Sequence, residues 1–98
     1  MLKKYKKQIV LGIVGLGVGA FHLKNSLEYK NCKVKYICDL DKKKLLFYKK
    51  KFKIKYATTN FDNIIKDKEV NTMVIASNDK DHSYQVINSL KNDKHVFI

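Results

Sequence analysis

All 4 glycines of this 98-residue chain lie within residues 12–19. Three of them belong to the segment Gly15-Leu-Gly-Val-Gly-Ala20, which directly follows the apolar run Ile9–Val14. Glycine is costly in ordered structure, so this concentration predicts a backbone that needs a positive φ or a very close approach. A turn of this kind brings backbone N–H groups and a helix N-terminus against a phosphate. The chemistry predicted here is therefore the binding of a phosphate-bearing ligand.

Asp39 is the second candidate for this chemistry, because it ends the apolar run 34–38, about 20 residues beyond the glycine turn. A carboxylate at that place can accept hydrogen bonds from the hydroxyls of an adenosine ribose. A 2′-phosphate would meet a like charge there, so NAD is preferred over NADP, although Lys42 and Lys43 are close enough to soften the preference. The alternative is an aspartate that serves only as a cap or turn residue.

A third group of polar residues, Ser77, Asn78 and His82, follows the apolar run 72–76. If both runs are neighbouring parallel strands, this group emerges beside the glycine turn and lines the same crevice. It is then placed to contact the pyrophosphate and the nicotinamide end of a dinucleotide. The alternative is a helix cap with an exposed His82.

The glycine turn itself allows two interpretations. As a dinucleotide G-x-G-x-x-G/A fingerprint, it uses Gly15 for the tight turn, Gly17 for the approach of the pyrophosphate and Ala20 for close helix packing. It also satisfies the G-x-G-x-G loop of nucleotide-binding methyltransferases with Gly19 as the last glycine. Loops of that methyltransferase family usually carry an acidic residue two positions before the first glycine, where this chain has Ile13.

Strands and helices are predicted to alternate along the whole chain. Apolar runs predict strands at 9–14, 34–38, 54–57, 72–76 and 95–98. Four helices are predicted between them. The first helix spans 18–29, has Ala20, Leu23 and Leu27 facing inward, and ends before Asn31 as a left-handed stop. The second is capped by Asp41 and has Leu45, Tyr48 and Phe52 facing inward. The third begins after Thr59-Asn60 with Ile64 and Ile65 inward, and the fourth has Tyr84, Ile87 and Leu90 inward. Right-handed crossovers then give an α/β fold, a Rossmann-like doubly wound parallel sheet of strand order 3-2-1-4-5 in three α/β/α layers.

Charge and cysteine content limit the remaining function classes. The 21 basic residues against 9 acidic ones give a net charge of +12, which invites a nucleic-acid interpretation, yet every basic residue is lysine. The runs 42–44 and 49–51 go round one predicted helix, so we expect a solvated surface, with no nucleic-acid partner and no membrane partner. Cys32 and Cys38 lack metal-site spacing, and no metal is predicted. Residues 3–7, the apolar residues after them and the small-residue site Val18-Gly-Ala20 imitate a secretory signal. Cleavage at that site would remove the glycine turn, so a cytoplasmic location is predicted.

These residues together resemble a known family. The segments 13–22, 68–77 and 90–98, with Asp39 and His82, resemble the N-terminal NAD(P)-binding domain of the glucose-fructose oxidoreductase/inositol dehydrogenase (Gfo/Idh/MocA) family. The resemblance implies hydride transfer between a nicotinamide cofactor and a hydroxyl or carbonyl of a sugar-like or cyclitol substrate. It also implies the cofactor contacts, which are Gly15, Gly17, Val18, Gly19, Ala20, Asp39, Ser77, Asn78 and His82. Two positions depart from the family pattern. His22 comes one place early, which leaves the third-glycine role open between Gly19 and Ala20, and Asn78 stands where proline is common.

The family's next residues are typically Glu-Lys-Pro, with that lysine at the substrate, followed by an α+β substrate domain. Residues 1–98 are therefore expected to be an incomplete dinucleotide-binding domain, truncated before the substrate domain, that binds NAD without a catalytic residue of its own. An oligomer would form only through the absent domain. The alternatives are a non-catalytic dinucleotide-sensing module and a fragment of a methyltransferase that binds S-adenosylmethionine.

Overall fold

The computed structural model describes residues 8–77 and 80–98. Its strands form one five-stranded sheet in the order β3-β2-β1-β4-β5, and every pairing is parallel. The predicted strand order and fold class are confirmed. The elements are β1 (Ile9–Val14), α1 (Gly19–Ser26), β2 (Cys32–Cys38), α2 (Lys42–Phe52), β3 (Tyr56–Thr58), α3 (Asp62–Ile65), β4 (Thr72–Ile75), α4 (His82–Lys91) and β5 (His95–Phe97).

Helices cover both faces of the sheet, which makes the three predicted layers. Alternate residues of β1 enter opposite cores, because successive side chains of a strand point to opposite faces. Leu11 and Ile13 pack with Leu23 of α1 and Leu45 of α2. On the other face, Val10 and Val14 belong to the core that contains Ile64 of α3 and half-buried Val86 of α4. The two cores therefore hold β1 from both faces, and the glycine turn follows directly from this rigid strand.

The strand glycine, Gly12, is required by packing. A Cβ built on Gly12 would lie 2.7 Å from Cγ2 of Ile64 and 3.1 Å from Sδ of Met73. The pairing of β1 with β2 is irregular at the same point, where Leu11 faces Val34 and Gly12 faces Tyr36. The missing side chain thus lets α3 lie close against the centre of the sheet.

The predicted start of α2 is confirmed and the predicted end of α1 is wrong. Asp41 caps α2, since its Oδ1 accepts the backbone N–H groups of Lys43 at 3.1 Å and Lys44 at 3.2 Å. Helix α1 ends at Ser26 rather than at residue 29, and Leu27 is exposed. Asn31 is not left-handed either: among the described non-glycine residues, only Lys53 and Asp93 have a positive φ.

The predicted inward face of α4 is wrong. Tyr84, Ile87 and Leu90 are 50%, 51% and 57% exposed, whereas Gln85 and Ser89 are buried. Residues four apart share a side of a helix, and this side faces the sheet. Its polar atoms are hydrogen-bonded, because the Ser89 hydroxyl donates to the Gln85 backbone oxygen at 2.7 Å and the Gln85 side chain accepts a hydrogen bond of its own. Satisfied polar groups can be buried, so apolar periodicity alone selected the wrong side.

Lys94 is a buried ammonium that no sequence pattern indicated. Its Nζ donates to the backbone oxygens of Asp67 at 2.9 Å and Val70 at 2.7 Å. Burial lowers the pKa of the Lys94 ammonium, because the charged form loses its hydration. The side chain therefore ties the loop after α3 to the start of β5.

Candidate functional site

The glycine turn leaves β1 at Gly15, which only glycine fits. Gly15 has a φ of +91°, and its N–H donates to the backbone oxygen of Cys38 at 2.8 Å. A Cβ at this position would lie 2.7 Å from the backbone nitrogen of Ser77. The turn therefore needs both the left-handed conformation and the contact between two backbones that its composition predicts.

The other two turn glycines have different surroundings. Gly17 is exposed, and a Cβ built on it meets no atom of the described residues within 4 Å. Gly19 is buried, and its Cβ would lie 3.1 Å from Cγ2 of Ile13 and 3.5 Å from Cβ of Ala76. The position of close helix–strand packing, which the fingerprint interpretation gave to Ala20, is therefore occupied by Gly19. Open space is left above Gly17.

The N-terminus of α1 follows this turn and carries neither a capping side chain nor an acidic side chain of its own. Its N-cap residue, Val18, has no side chain that can cap, and no acidic residue lies in the first turn. The positive end of the helix dipole is thus not neutralised by the helix's own side chains.

Asp39 faces the glycine turn. Its Oδ2 accepts the backbone N–H of Leu16 at 2.7 Å, and its Oδ1 accepts the N–H of Asp41 at 2.8 Å. The carboxylate is half-buried, and each of its oxygens keeps a further lone pair. Asp39 therefore braces the turn and still has acceptor capacity toward the cleft. The brace is a role that sequence reasoning missed, because the distance of 23 residues between the two positions carries no signal of direct contact.

The mouth of β4 forms the facing wall. Ala76 continues the pairing with β1, since its N–H donates to the backbone oxygen of Val14 at 2.8 Å. Ser77 follows, and its hydroxyl donates to Oε1 of Gln85 at 2.5 Å. His82 opens α4 and is half-buried. The predicted contact Asn78 lies outside the described residues, as do Asp79 and residues 1–7.

A cleft of about 1410 Å³ joins these parts. Of the predicted site residues, it is lined by Gly15, Gly17, Val18, Asp39, Ser77 and His82, whereas Gly19 and Ala20 are not in its lining. Residues that the sequence did not single out also line it, among them Leu40, Lys44, Asn60 and Gln85. This volume exceeds the range of roughly 300–1,000 Å³ typical of small-molecule sites, because the cavity also extends to Ile9 and Cys32 at the starts of β1 and β2, away from the glycine turn.

A cluster of ion pairs around Lys35 lies outside the cleft. Nζ of Lys35 is 2.6 Å from Oδ2 of Asp67 and 2.7 Å from Oε1 of Glu69. The hydrogen bond from Lys35 holds the pKa of the Asp67 carboxyl below its usual value. None of these residues lines the cleft. Across residues 8–77 and 80–98, no three metal-ligating side chains converge, and no helix is long and apolar enough to cross a membrane.

Comparison with known proteins identifies the family. A profile of the Gfo/Idh/MocA oxidoreductases, a family with an NAD-binding Rossmann fold, matches residues 9–98. The chain belongs to this family. The predicted resemblance to this family is confirmed.

Individual relatives agree with this assignment. The chain is 27% identical over 92 residues to the uncharacterized oxidoreductase YrbE of Bacillus subtilis, and the match covers 93% of this chain and 27% of the relative. Apo scyllo-inositol dehydrogenase from Lactobacillus casei superimposes with a TM-score of 0.86 at 27% identity, over 96% of this chain and 28% of that one. The same enzyme with bound NAD(H) and scyllo-inositol gives a TM-score of 0.84 at 28% identity, over 93% and 27% of the two chains. This chain thus spans about a quarter of the length of these relatives.

Proposed function

We propose that this chain is the cofactor-binding part of an NAD-dependent oxidoreductase that transfers hydride to or from a hydroxyl or carbonyl of a sugar-like or cyclitol substrate. The observation that carries the proposal is the brace between Asp39 and the Leu16 amide, at 2.7 Å, beside the open space above Gly17. The bound inositol in the solved relative supports the substrate class. Residues 1–98 as one incomplete dinucleotide-binding domain, and a cytoplasmic location, remain predictions.

The residues divide the proposed ligand into three parts. The turn at Gly15 and Gly17, followed by the uncapped start of α1, would hold the pyrophosphate, because backbone N–H groups and the helix dipole favour an anion there. Asp39 would accept hydrogen bonds from the adenosine ribose through its remaining lone pairs. Ser77 and His82 would lie at the nicotinamide side, across the cleft.

The bound nicotinamide would supply the hydride chemistry, and this chain would supply binding and orientation. Hydride transfer requires a substrate held at near-attack distance from the ring. The cleft has one wall formed by the glycine turn and one formed by the mouth of β4. We propose that groups outside residues 1–98 hold the substrate, so the chain alone would bind cofactor without turnover.

Isothermal titration calorimetry of the 98-residue chain tests the proposal. NAD should bind more tightly than NADP, because the Asp39 carboxylate repels a 2′-phosphate. S-adenosylmethionine, which has no pyrophosphate, serves as the control ligand and should give no saturable heat. Binding of S-adenosylmethionine alone, or of no ligand, would contradict the proposed cofactor site.

A further inference from the structure

The hydroxyl of Ser77 is engaged by a side chain from α4. Its Oγ donates to Oε1 of Gln85 at 2.5 Å, and both residues line the cleft. Ser77 is also the residue whose backbone nitrogen lies against Gly15, so its position relative to the glycine turn is closely fixed. One hydrogen bond therefore determines how the mouth of β4 presents this hydroxyl to a ligand.

A serine hydroxyl has one proton to donate and two lone pairs that accept. When its proton goes to Gln85, Ser77 can offer only acceptor lone pairs to the cleft. The acceptor that holds the proton is itself secured, because Gln85 is only 7% exposed. The backbone around it is fixed as well, since its N–H donates to the Asp81 oxygen at 2.9 Å and its oxygen accepts the Ser89 hydroxyl at 2.7 Å.

We infer that Gln85 is a positioning residue that makes Ser77 a hydrogen-bond acceptor toward the ligand. The ligand group at the mouth of β4 is then a donor carried by the nicotinamide half, either the carboxamide amine or a hydroxyl of the adjoining ribose. A phosphate oxygen, which only accepts, does not match this wall and belongs at the glycine turn. The inference rests on the proposed function. It adds that the glycine turn binds the phosphates, whereas the mouth of β4 accepts a hydrogen bond from the nicotinamide half.

The test compares NAD with ADP, which carries the adenosine and two phosphates but no nicotinamide half, by calorimetry. Gln85→Met keeps the size of the side chain and removes the acceptor, so the Ser77 hydroxyl is no longer oriented. We expect NAD to bind about fivefold more weakly and ADP to bind unchanged, since one neutral hydrogen bond contributes about 1 kcal/mol. Asn88→Ala is the matched control, because it removes a polar side chain of the same helix whose amide donates to the Tyr84 backbone oxygen at 2.8 Å rather than to Ser77 or Gln85, and it should leave the ratio of the two affinities unchanged.

Two further variants keep the inference testable if Gln85→Met does not fold. Ser77→Ala should reproduce the selective loss of NAD affinity, and Gln85→Met in that background should cause no further loss. Gln85→Glu retains an oxygen that accepts from Ser77, so its ratio of NAD to ADP affinity should stay near that of the unchanged protein. ADP-ribose distinguishes the two donors, because it keeps the second ribose and lacks the carboxamide.

Each outcome has a defined meaning. An equal loss for NAD and ADP would assign Gln85 a purely structural role and overturn the inference, as would no loss for either ligand. Additive losses in the double variant would overturn it as well. If the unchanged chain binds neither ligand, the proposed function itself fails; if it binds both and Gln85→Met leaves their ratio unchanged, only the role given to Gln85 fails.

Discussion

Replacing Asp39 by alanine separates two roles that the structure gives to one carboxylate. The substitution removes the acceptor for the Leu16 amide at 2.7 Å and for the Asp41 amide at 2.8 Å. Hydrogen bonds to a charged group contribute about 1.5–3 kcal/mol each, so loss of the ribose contact should weaken NAD roughly 10- to 100-fold. NADP should lose less, because removal of the carboxylate also relieves its repulsion of the 2′-phosphate.

Calorimetry with both cofactors on Asp39→Ala measures this difference. Asp41→Asn is the matched control: it removes one negative charge two residues away, and asparagine remains a good N-cap for α2. We expect the ratio of NADP to NAD affinity to rise for Asp39→Ala and to stay nearly constant for Asp41→Asn. Equal losses of both cofactors would refute the ribose role and leave Asp39 only as a brace of the glycine turn.

Three other changes test the packing around the site. Gly15→Ala should lower the free energy of unfolding by about 1–3 kcal/mol, as measured by urea titration, because φ at this position is +91°. Gly17→Ala should change the free energy of unfolding by less than about 1 kcal/mol and should still weaken NAD binding, as measured by calorimetry. Lys94→Met should cost about 1–3 kcal/mol in urea titration, since two backbone oxygens lose their donor, and an unchanged midpoint would contradict the buried ammonium. The pKa of Asp67 is lowered in the folded state, so the pair with Lys35 stabilises the fold fully above about pH 4, and this stabilisation is lost as the pH falls further. Below about pH 4, the thermal unfolding temperature should therefore fall more steeply for the unchanged protein than for Asp67→Asn.

Local sequence chemistry determined most of the fold. The short apolar runs at β1 and β4 indicated strands buried on both faces, and right-handed crossovers then gave the observed strand order as the default. Asp41 could be recognised as a cap because capping depends on neighbours two and three residues away. The glycine turn was equally recognisable, since its requirement at Gly15 is a property of the backbone.

Features that depend on distant partners could not be predicted in this way. The buried side of α4 carries Gln85, which is hydrogen-bonded to Ser77, and the apolar pattern of the helix gives no sign of this bond. Burial of Lys94 depends on two backbone oxygens that lie more than 20 residues away in the sequence. No local pattern distinguishes this lysine from the other lysines of the chain. The link between Asp39 and Leu16 likewise forms only once the first two strands are paired.

The four glycines differ in what holds them in place. Atoms of the protein itself disfavour a larger residue at Gly12, Gly15 and Gly19, whereas a Cβ at Gly17 would meet no atom of the described residues within 4 Å. Selection for folding alone would therefore retain Gly12, Gly15 and Gly19 and would allow substitutions at Gly17. Among natural variants of this sequence, a glycine kept at position 17 would therefore support the proposed binding of a cofactor at this turn.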